Sequence, residues 1–308
     1  MKLLAVCSIL IAGTLWGTIG IFVRTLSEME FGSMELVALR SFVTLIAMGI
    51  YLLLFKRDRF RVRFKDLWCF AGTGILSILF FNFCYFTTIN LTSLATASIL
   101  LYTAPVIVML LSLLLFREKM TVSKCISALL AFLGCALVAG VNPQTGLSVT
   151  PEGFLTGLGA GLGYALYSIF GRYALNRGYD TMTITFYTFA FSSAGSLFLI
   201  DTPVLAEKVI HRPESIPWIL ALGLITCVAA YLLYTYGLTK IESSKASIMA
   251  SIEPVVATLV GILMFYETPT FWSAVGICLV LLSLVLLNAG GIVKRVSEKN
   301  ISAKSCGD

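Results

Sequence analysis

The sequence predicts an all-α integral membrane protein of ten transmembrane helices, arranged as two inverted five-helix repeats. Three observations support this prediction: an apolar composition, ten apolar runs of membrane-spanning length, and a match between the two halves of the chain. Of the 308 residues, 58% are apolar and only 12% are charged, whereas soluble domains carry roughly 25% charged residues. The basic residues behind the net charge of +6 sit where membrane topology places them, so we expect no nucleic-acid partner.

Ten apolar segments can each cross the bilayer, since a spanning helix needs about 20 apolar residues. They lie at residues 4–24, 34–55, 67–87, 94–116, 122–141, 154–174, 182–200, 216–238, 245–266 and 270–290. Lys2 and the apolar run after it resemble a signal peptide, but no small-residue cleavage motif follows, so we assign this run to the fold. Eight cysteines occur without a CxxC pair. They indicate small buried side chains, and we expect no disulfide, metal or other cofactor.

The two halves of the chain resemble each other. A stretch of 26 residues matches another 149 positions later with nine identities, at residues 93–118 and 242–267. A second match, at an offset of 148 positions, joins residues 12–24 to 160–172, which places the first segment in the repeat. We therefore predict four regions. They are a first repeat at 1–141, an external linker at 142–153, a second repeat at 154–290 and a polar cytoplasmic tail at 291–308.

Basic residues predict the orientation of the helices. Eighteen of the 22 Lys and Arg residues fall on the side that carries Lys2, the loop 56–66 and the tail. Cytoplasmic loops carry the excess of Lys and Arg, so both termini are predicted to be cytoplasmic, in a plasma or bacterial inner membrane. Each half has five segments, an odd number, so the second half begins on the opposite side and the repeat is inverted. Inverted repeats are typical of secondary transporters.

Particular motifs resemble the drug/metabolite transporter superfamily, in its ten-helix EamA-type branch. They are Leu15-Trp16-Gly17, Ala38-Leu39-Arg40, and two proline-containing segments, 95–121 and 245–270, in which a glutamate precedes a threonine-led helix. The resemblance covers about residues 4–290. It implies a central cavity between two halves, with the first four helices of each half around the pathway and the fifth at the periphery. It also implies transport of amino acids, other metabolites or drugs, mostly as export.

Two charged residues inside predicted helices are candidate site residues. Glu253 lies roughly 12 Å into its segment at 1.5 Å per residue, near the bilayer centre, where a charge is costly and indicates function. We interpret Glu253 as a contact for a substrate amine or as a proton-coupling carboxylate, and alternatively as part of a structural pair. Arg40 is a candidate for binding a substrate carboxylate. Alternatively it extends towards the membrane surface or pairs with Glu35.

Polar aromatic side chains and two prolines complete the candidate site. The predicted pathway residues are Trp16, Arg40, Asn82, Tyr85, Tyr102, Tyr164, Tyr234 and Glu253. Pro105 and Pro254 occupy matched positions, and each is predicted to break its helix because proline removes a backbone hydrogen bond. Paired breaks in corresponding helices point to a binding site between the repeats.

These features predict a transporter for a small metabolite, an amino acid or a related solute, that works by alternating access. Export is expected, with protons as a candidate coupling ion and the lipid bilayer as the other partner. The sequence has no HExxH, GxSxG or P-loop motif, so we predict neither an enzyme with catalytic residues nor ATP hydrolysis. A drug or sugar-conjugate transporter on the same fold stays open, as do a non-transporting scaffold or sensor and the oligomeric state.

Overall fold

The computed structural model describes residues 2–140 and 150–304, with side chains up to Asn288. All regular structure in these ranges is helical. The main helices are α1 (Lys2–Glu28), α2 (Ser33–Phe55), α3 (Phe64–Leu91), α4 (Leu94–Phe116), α5 (Val122–Val138), α6 (Pro151–Asn176), α7 (Thr181–Ser196), α8 (Pro213–Leu238), α9 (Ser243–Phe265) and α10 (Phe271–Lys304). A short helix, Thr202–His211, precedes α8. Most of the predicted linker and the end of the tail lie outside the described residues.

Eight helices among the described residues are long and apolar enough to cross a membrane. The two remaining predicted spans, 122–141 and 182–200, are shorter helices. The apolar α5 has 17 residues and gives way to a turn in which Gly140 has a left-handed φ of 96°. The 16 residues of α7 are rich in threonine and serine, which lowers its hydropathy. The chain is thus a multi-pass membrane protein, and its described residues contain eight candidate full-length spans and one shorter apolar helix.

Helix interruptions occur at matched positions in the two halves. α4 is interrupted at Tyr102 and Thr103, and α9 is interrupted 149 positions later. Pro105 and Pro254 each stand in the first turn of the half-helix after the interruption. A missing N–H is tolerated there because the first turn of a helix offers that group no partner. Each proline therefore starts a new half-helix inside its span.

Glycines allow α1 and α6 to approach these interruptions closely. A Cβ atom at Gly13 would lie 2.6 Å from Cγ2 of Ile252, and one at Gly161 would lie 2.8 Å from the carbonyl oxygen of Leu100. Neither distance is tolerated without displacing a neighbour, so only glycine fits. Gly13 and Gly161 are repeat partners. Each half therefore packs its first helix on the interrupted helix of the other half.

α5 and α10 pack along a seam of small residues. A Cβ atom at Gly134 would lie 2.7 Å from the carbonyl oxygen of Gly276, and one at Gly276 would lie 2.6 Å from that of Gly134. Ser127 and Ser283 are buried seven residues away on the same helix faces. Small side chains let helices in lipid approach until their backbones touch.

Gly134→Ala and Gly276→Ala are each expected to destabilise the protein by about 1–3 kcal/mol, because the added methyl group must displace backbone atoms. The matched control is Gly20→Ala, since Gly20 is helical and a Cβ there meets no atom within 4 Å. That change should be neutral or stabilising by about 0.5–1 kcal/mol. The measurement is the thermal unfolding midpoint in detergent. Equal midpoints for all three variants would contradict the close contact at the seam.

Candidate functional site

A cavity of about 730 Å³ lies between the two halves of the protein. Side chains from α1, α2, α3 and α4 of the first half and from α6, α8 and α9 of the second half line it. The cavity reaches the end of the bundle where α2 begins, α3 ends and α4 begins, and it extends inwards to the interruption in α9. Small-molecule sites typically measure about 300–1,000 Å³, so the cavity has room for a metabolite.

Seven of the eight predicted pathway residues line this cavity: Trp16, Arg40, Asn82, Tyr85, Tyr102, Tyr164 and Glu253. The eighth, Tyr234, lies behind the wall and is only 3% exposed. Its hydroxyl is 2.8 Å from Oγ of Ser168, and its ring packs against Trp16 with centroids 5.2 Å apart. Tyr231, about one turn earlier in α8, lines the cavity in its place.

Glu253 is the first residue of the half-helix that follows the interruption in α9. Its Oε2 accepts a hydrogen bond of 3.0 Å from the hydroxyl of Tyr164 in α6. The positive end of a helix dipole favours a carboxylate at this position. The matched first residue in α4 is Ala104, so only one half supplies this charge to the cavity.

Arg40 is a second charged group on the cavity wall and is 9% exposed. Its Nη2 donates a hydrogen bond of 3.0 Å to Oδ1 of Asn82, whose Nδ2 donates to the carbonyl oxygen of Ile78 at 2.7 Å. Its buried Nε has no partner among the described residues. The alternative partner Glu35 pairs instead with Lys208 at 2.8 Å. Part of the hydrogen-bonding capacity of the Arg40 guanidinium is therefore unused by the protein.

Two π-helical turns shape the wall of the cavity. One, Leu224–Ala229 in α8, includes Thr226, whose carbonyl oxygen accepts a hydrogen bond of 3.1 Å from Nε1 of Trp16. The other, Gly72–Leu79 in α3, ends three residues before Asn82. A π-helical turn widens a helix and is frequent at functional sites, since it leaves backbone groups for other partners. The turn in α8 thus holds Trp16, and the turn in α3 directly precedes the part of the helix that carries Asn82.

Several lining residues were not predicted from the sequence. They include Ser33, Met34, Phe81, Phe86 and Asn90. Asn90 lies about two turns after Asn82 in α3, but it falls beyond the predicted span 67–87, so the argument that selected polar residues inside spans did not include it. The apolar residues carry no comparable signal, because such side chains occur on every face of a membrane helix.

The cavity is closed at the other end of the bundle, which we call the basic end because it carries the loop 56–66. There Glu118, which follows α4, accepts hydrogen bonds from the first backbone N–H groups of α9. The donors are the N–H of Ser243 at 2.8 Å and the N–H of Ser244 at 3.2 Å. The hydroxyl of Ser244 also donates to Glu118. A carboxylate from the first half thus binds a helix start from the second half.

Further charged side chains extend this closure. Arg172 of α6 donates to the carbonyl oxygen of Ile241 and, at 3.1 Å, to Oγ of Ser243. Nζ of Lys124 is 2.7 Å from Oε2 of Glu242. Partial burial alone would raise the pKa of Glu242, but the hydrogen bond and charge of Lys124 outweigh it and lower the pKa below its usual value. Glu242 therefore remains charged at neutral pH and keeps its ion pair.

Comparison with known families agrees with this architecture of two halves. A model of the EamA-like transporter family matches residues 3–140 and matches again at residues 151–289. The chain belongs to the EamA-like transporter family. The two matches lie on the two predicted repeats, and this family assignment confirms the predicted resemblance to the drug/metabolite transporter superfamily.

Relatives of this EamA-like protein are similar along almost its whole length. An uncharacterized transporter from Helicobacter pylori is 31% identical over 311 residues, which cover 96% of this chain and 98% of the relative. One from Archaeoglobus fulgidus is 28% identical over 285 residues, covering 91% and 94%. The uncharacterized transporter YxxF from Bacillus subtilis is 26% identical over 310 residues, covering 98% and 94%. These relatives support a membrane transporter and weigh against an enzyme.

The fold also resembles a solved structure. A crystal structure of a protein that is 19% identical superposes with a TM-score of 0.73, covering 95% of this chain and 98% of the other. At this level of identity the similarity concerns the fold alone.

Proposed function

We propose that this protein is a secondary transporter that moves a small zwitterionic metabolite by alternating access, with amino acids as the first candidates. One observation carries the proposal: a single cavity between the two halves is lined by both an arginine, Arg40, and a carboxylate, Glu253. A zwitterion offers a carboxylate to the guanidinium and an amine to the glutamate. Both contacts are charge-assisted hydrogen bonds, which are stronger than neutral ones.

Aromatic side chains favour a solute that also has an apolar part. The rings on the cavity wall belong to Trp16, Phe81, Tyr85, Phe86, Tyr102, Tyr164 and Tyr231. Such rings offer apolar surface, and tryptophan and tyrosine add a polar group at the edge. The same rings favour the second candidate function, transport of amphipathic drugs or sugar conjugates on this fold.

We propose ten spans in two inverted halves, with the basic end in the cytoplasm of a bacterial-type cell. The positions of α5 and α7 between their neighbours, together with the doubled family match, support this number. The excess of basic residues supports the orientation, with both termini cytoplasmic. In that orientation the cavity opens outwards, as expected for an exporter after it releases its solute.

Protons are the proposed coupling ion. Glu253 lies beside the cavity with a single hydrogen bond from Tyr164 among the described residues. Protonation of this carboxylate would remove the charge that binds an amine, and so would favour release of the solute on the side where protons enter.

Efflux from reconstituted liposomes tests the proposal. The purified protein is placed in vesicles loaded with a labelled panel of amino acids, simple amines, carboxylic acids, amphipathic cationic drugs and sugar conjugates. Protein-free vesicles are the control. We expect efflux of zwitterions, accelerated by an inward proton gradient. Efflux of cationic drugs or conjugates alone would favour the second candidate, and efflux of no solute would favour a scaffold or sensor.

A further inference from the structure

Glu118 has a repeat partner that makes a different contact. At the basic end the side chain of Glu118 is 10% exposed and binds the start of α9. Its partner Glu267 lies 149 positions later, at the end of the bundle where the cavity is open. The side chain of Glu267 is 61% exposed and pairs with Arg24 at 3.3 Å. The two glutamates therefore differ in burial and in partner.

The same local backbone presents both glutamates. The residues before them, Arg117 and Tyr266, each have a left-handed φ of 55°. The N–H of Glu118 donates to the carbonyl oxygen of Ser112 at 3.2 Å, and the N–H of Glu267 donates to the carbonyl oxygen of Gly261 at 3.1 Å. A left-handed residue at such a point ends a helix and turns the next residue away from its axis.

The helix that follows each glutamate also begins in the same way. The side chains of Thr121 and Thr270 each accept a hydrogen bond from the backbone N–H three residues later. The two halves therefore present their glutamates from the same backbone turn, and the difference lies in what each carboxylate meets.

The start of α4 corresponds to the start of α9 but lacks the carboxylate. The N–H groups of Leu94 and Ala95 match those of Ser243 and Ser244, and no hydrogen bond from either is found among the described residues. Ser93 caps α4 itself, with Oγ accepting from the N–H of Thr96 at 3.1 Å. The first N–H groups of a helix need partners, and a carboxylate also meets the positive end of the dipole. Among the described residues, the start of α4 thus corresponds to the site that Glu118 occupies but has no carboxylate on its first N–H groups.

We propose that Glu118 and Glu267 close the two ends of the cavity in turn. With Glu118 bound to the start of α9, the basic end is closed and the opposite end is open. With Glu267 bound to the N–H groups of Leu94 and Ala95, the opposite end is closed and Glu118 is released. This inference rests on the proposed function, because it names the residues that exchange the two states of that transporter.

The arginines support the same exchange. Arg172 binds the turn before α9 through the carbonyl oxygen of Ile241. Its repeat partner is Arg24, which is held at the open end by Glu267 and lies over the ring of Phe265 at 4.3 Å. Thr92 in the turn before α4 is the counterpart of Ile241. In the alternative state the repeat therefore predicts that Arg24 binds the carbonyl oxygen of Thr92.

The moving part is the first half of α4. The segment Leu94–Leu101 lies between the start of α4 and the interruption at Tyr102, and both of its end residues line the cavity. The matching segment Ser243–Ala250 is buried, with Ser247 2% exposed. Tilting one half-helix about its interruption covers the open end without unfolding either span.

Cysteine labelling tests the exchange without any solute. Asn90→Cys reports on the open end and Ser247→Cys on the basic end. The reagent is a polar maleimide applied in detergent, and mass spectrometry of peptides separates these sites from native cysteines. Glu118→Gln is expected to raise the labelling rate of Ser247→Cys about tenfold or more and to slow that of Asn90→Cys, because hydrogen bonds to a charged group are worth at least that factor.

Glu267→Gln is expected to act in the opposite sense. With this change Ser247→Cys should stay protected from labelling and Asn90→Cys should still be labelled fast. In the double variant with Glu118→Gln, the labelling rate of Ser247→Cys should return towards its original value. Glu28→Gln, a change at an exposed glutamate, is the matched control and should alter neither rate. The buried native Cys227 should stay unlabelled throughout, which distinguishes opening of one end from general loosening.

Two results would overturn the exchange. The first is that Ser247→Cys stays protected from labelling when Glu118→Gln is present. The second is that Glu118→Gln and Glu267→Gln accelerate the labelling of Ser247→Cys equally. These failures are distinct from failure of the proposed function. Efflux of zwitterions with unaltered labelling contradicts only the exchange, whereas altered labelling without efflux supports the exchange and contradicts the choice of solute.

Discussion

Glu253→Gln is expected to reduce gradient-driven efflux of zwitterions by about 10- to 100-fold, since a hydrogen bond to a charged group contributes about 1.5–3 kcal/mol. The amide keeps the shape of the side chain and can still accept from the hydroxyl of Tyr164. It cannot form an ion pair with an amine, and it cannot bind and release a proton. The residual efflux should therefore no longer respond to a proton gradient. The measurement is efflux from liposomes with and without that gradient.

The control for this prediction is Glu28→Gln, which neutralises an exposed glutamate in α1 and should leave efflux unchanged. A Glu253→Gln protein with the original rate and gradient response would show that Glu253 serves only the structural contact with Tyr164. The proposal would then lose both its amine contact and its coupling group.

Arg40→Gln is expected to weaken the binding of carboxylate-bearing solutes about tenfold or more, because the charge-assisted contact is lost. An amino acid amide, which has no carboxylate, should bind about equally to both proteins. The ratio of the affinity for an amino acid to the affinity for its amide should therefore fall towards one. Arg40→Lys should give an intermediate result, since lysine keeps the charge but not the planar pair of donors. Equilibrium binding of labelled solutes in detergent is the measurement.

Arg61→Gln is the matched control, because it removes an exposed arginine from the loop at the basic end. Its binding preference should equal that of the unaltered protein. If Arg40→Gln weakens the acid and the amide equally, Arg40 shapes the cavity through Asn82 and does not contact the carboxylate.

The division of the fold into two repeats of membrane helices could be predicted because the sequence signals for it are local. Apolar length marks most of the spans, and the self-match finds the repeat before any contact is known. Pro105 and Pro254 mark the interrupted helices, since the missing N–H is a property of the residue itself. Glu253 is conspicuous because a charge far from both ends of an apolar run is costly wherever its helix lies.

The faces of the helices could not be predicted in the same way. Tyr231 and Tyr234 are equally plausible in the sequence, and only the packing of α8 in the folded protein shows that Tyr231 lines the cavity. The partner of Glu35 could not be predicted either, since Lys208 belongs to the short helix between α7 and α8, outside every predicted span. Such contacts depend on tertiary packing and not on the character of one segment.

The seam between α5 and α10 has a consequence for the order in which the protein is made. Gly134 is synthesised long before Gly276, yet each glycine backbone is covered by the other. During translation α5 therefore enters the membrane with its small-residue face uncovered, and that face finds its partner only when α10 leaves the ribosome. A chain that stops before α10 would expose this face to other membrane helices and to quality-control proteases. The fold is thus completed by the contact between α5 and α10, which lies away from the cavity.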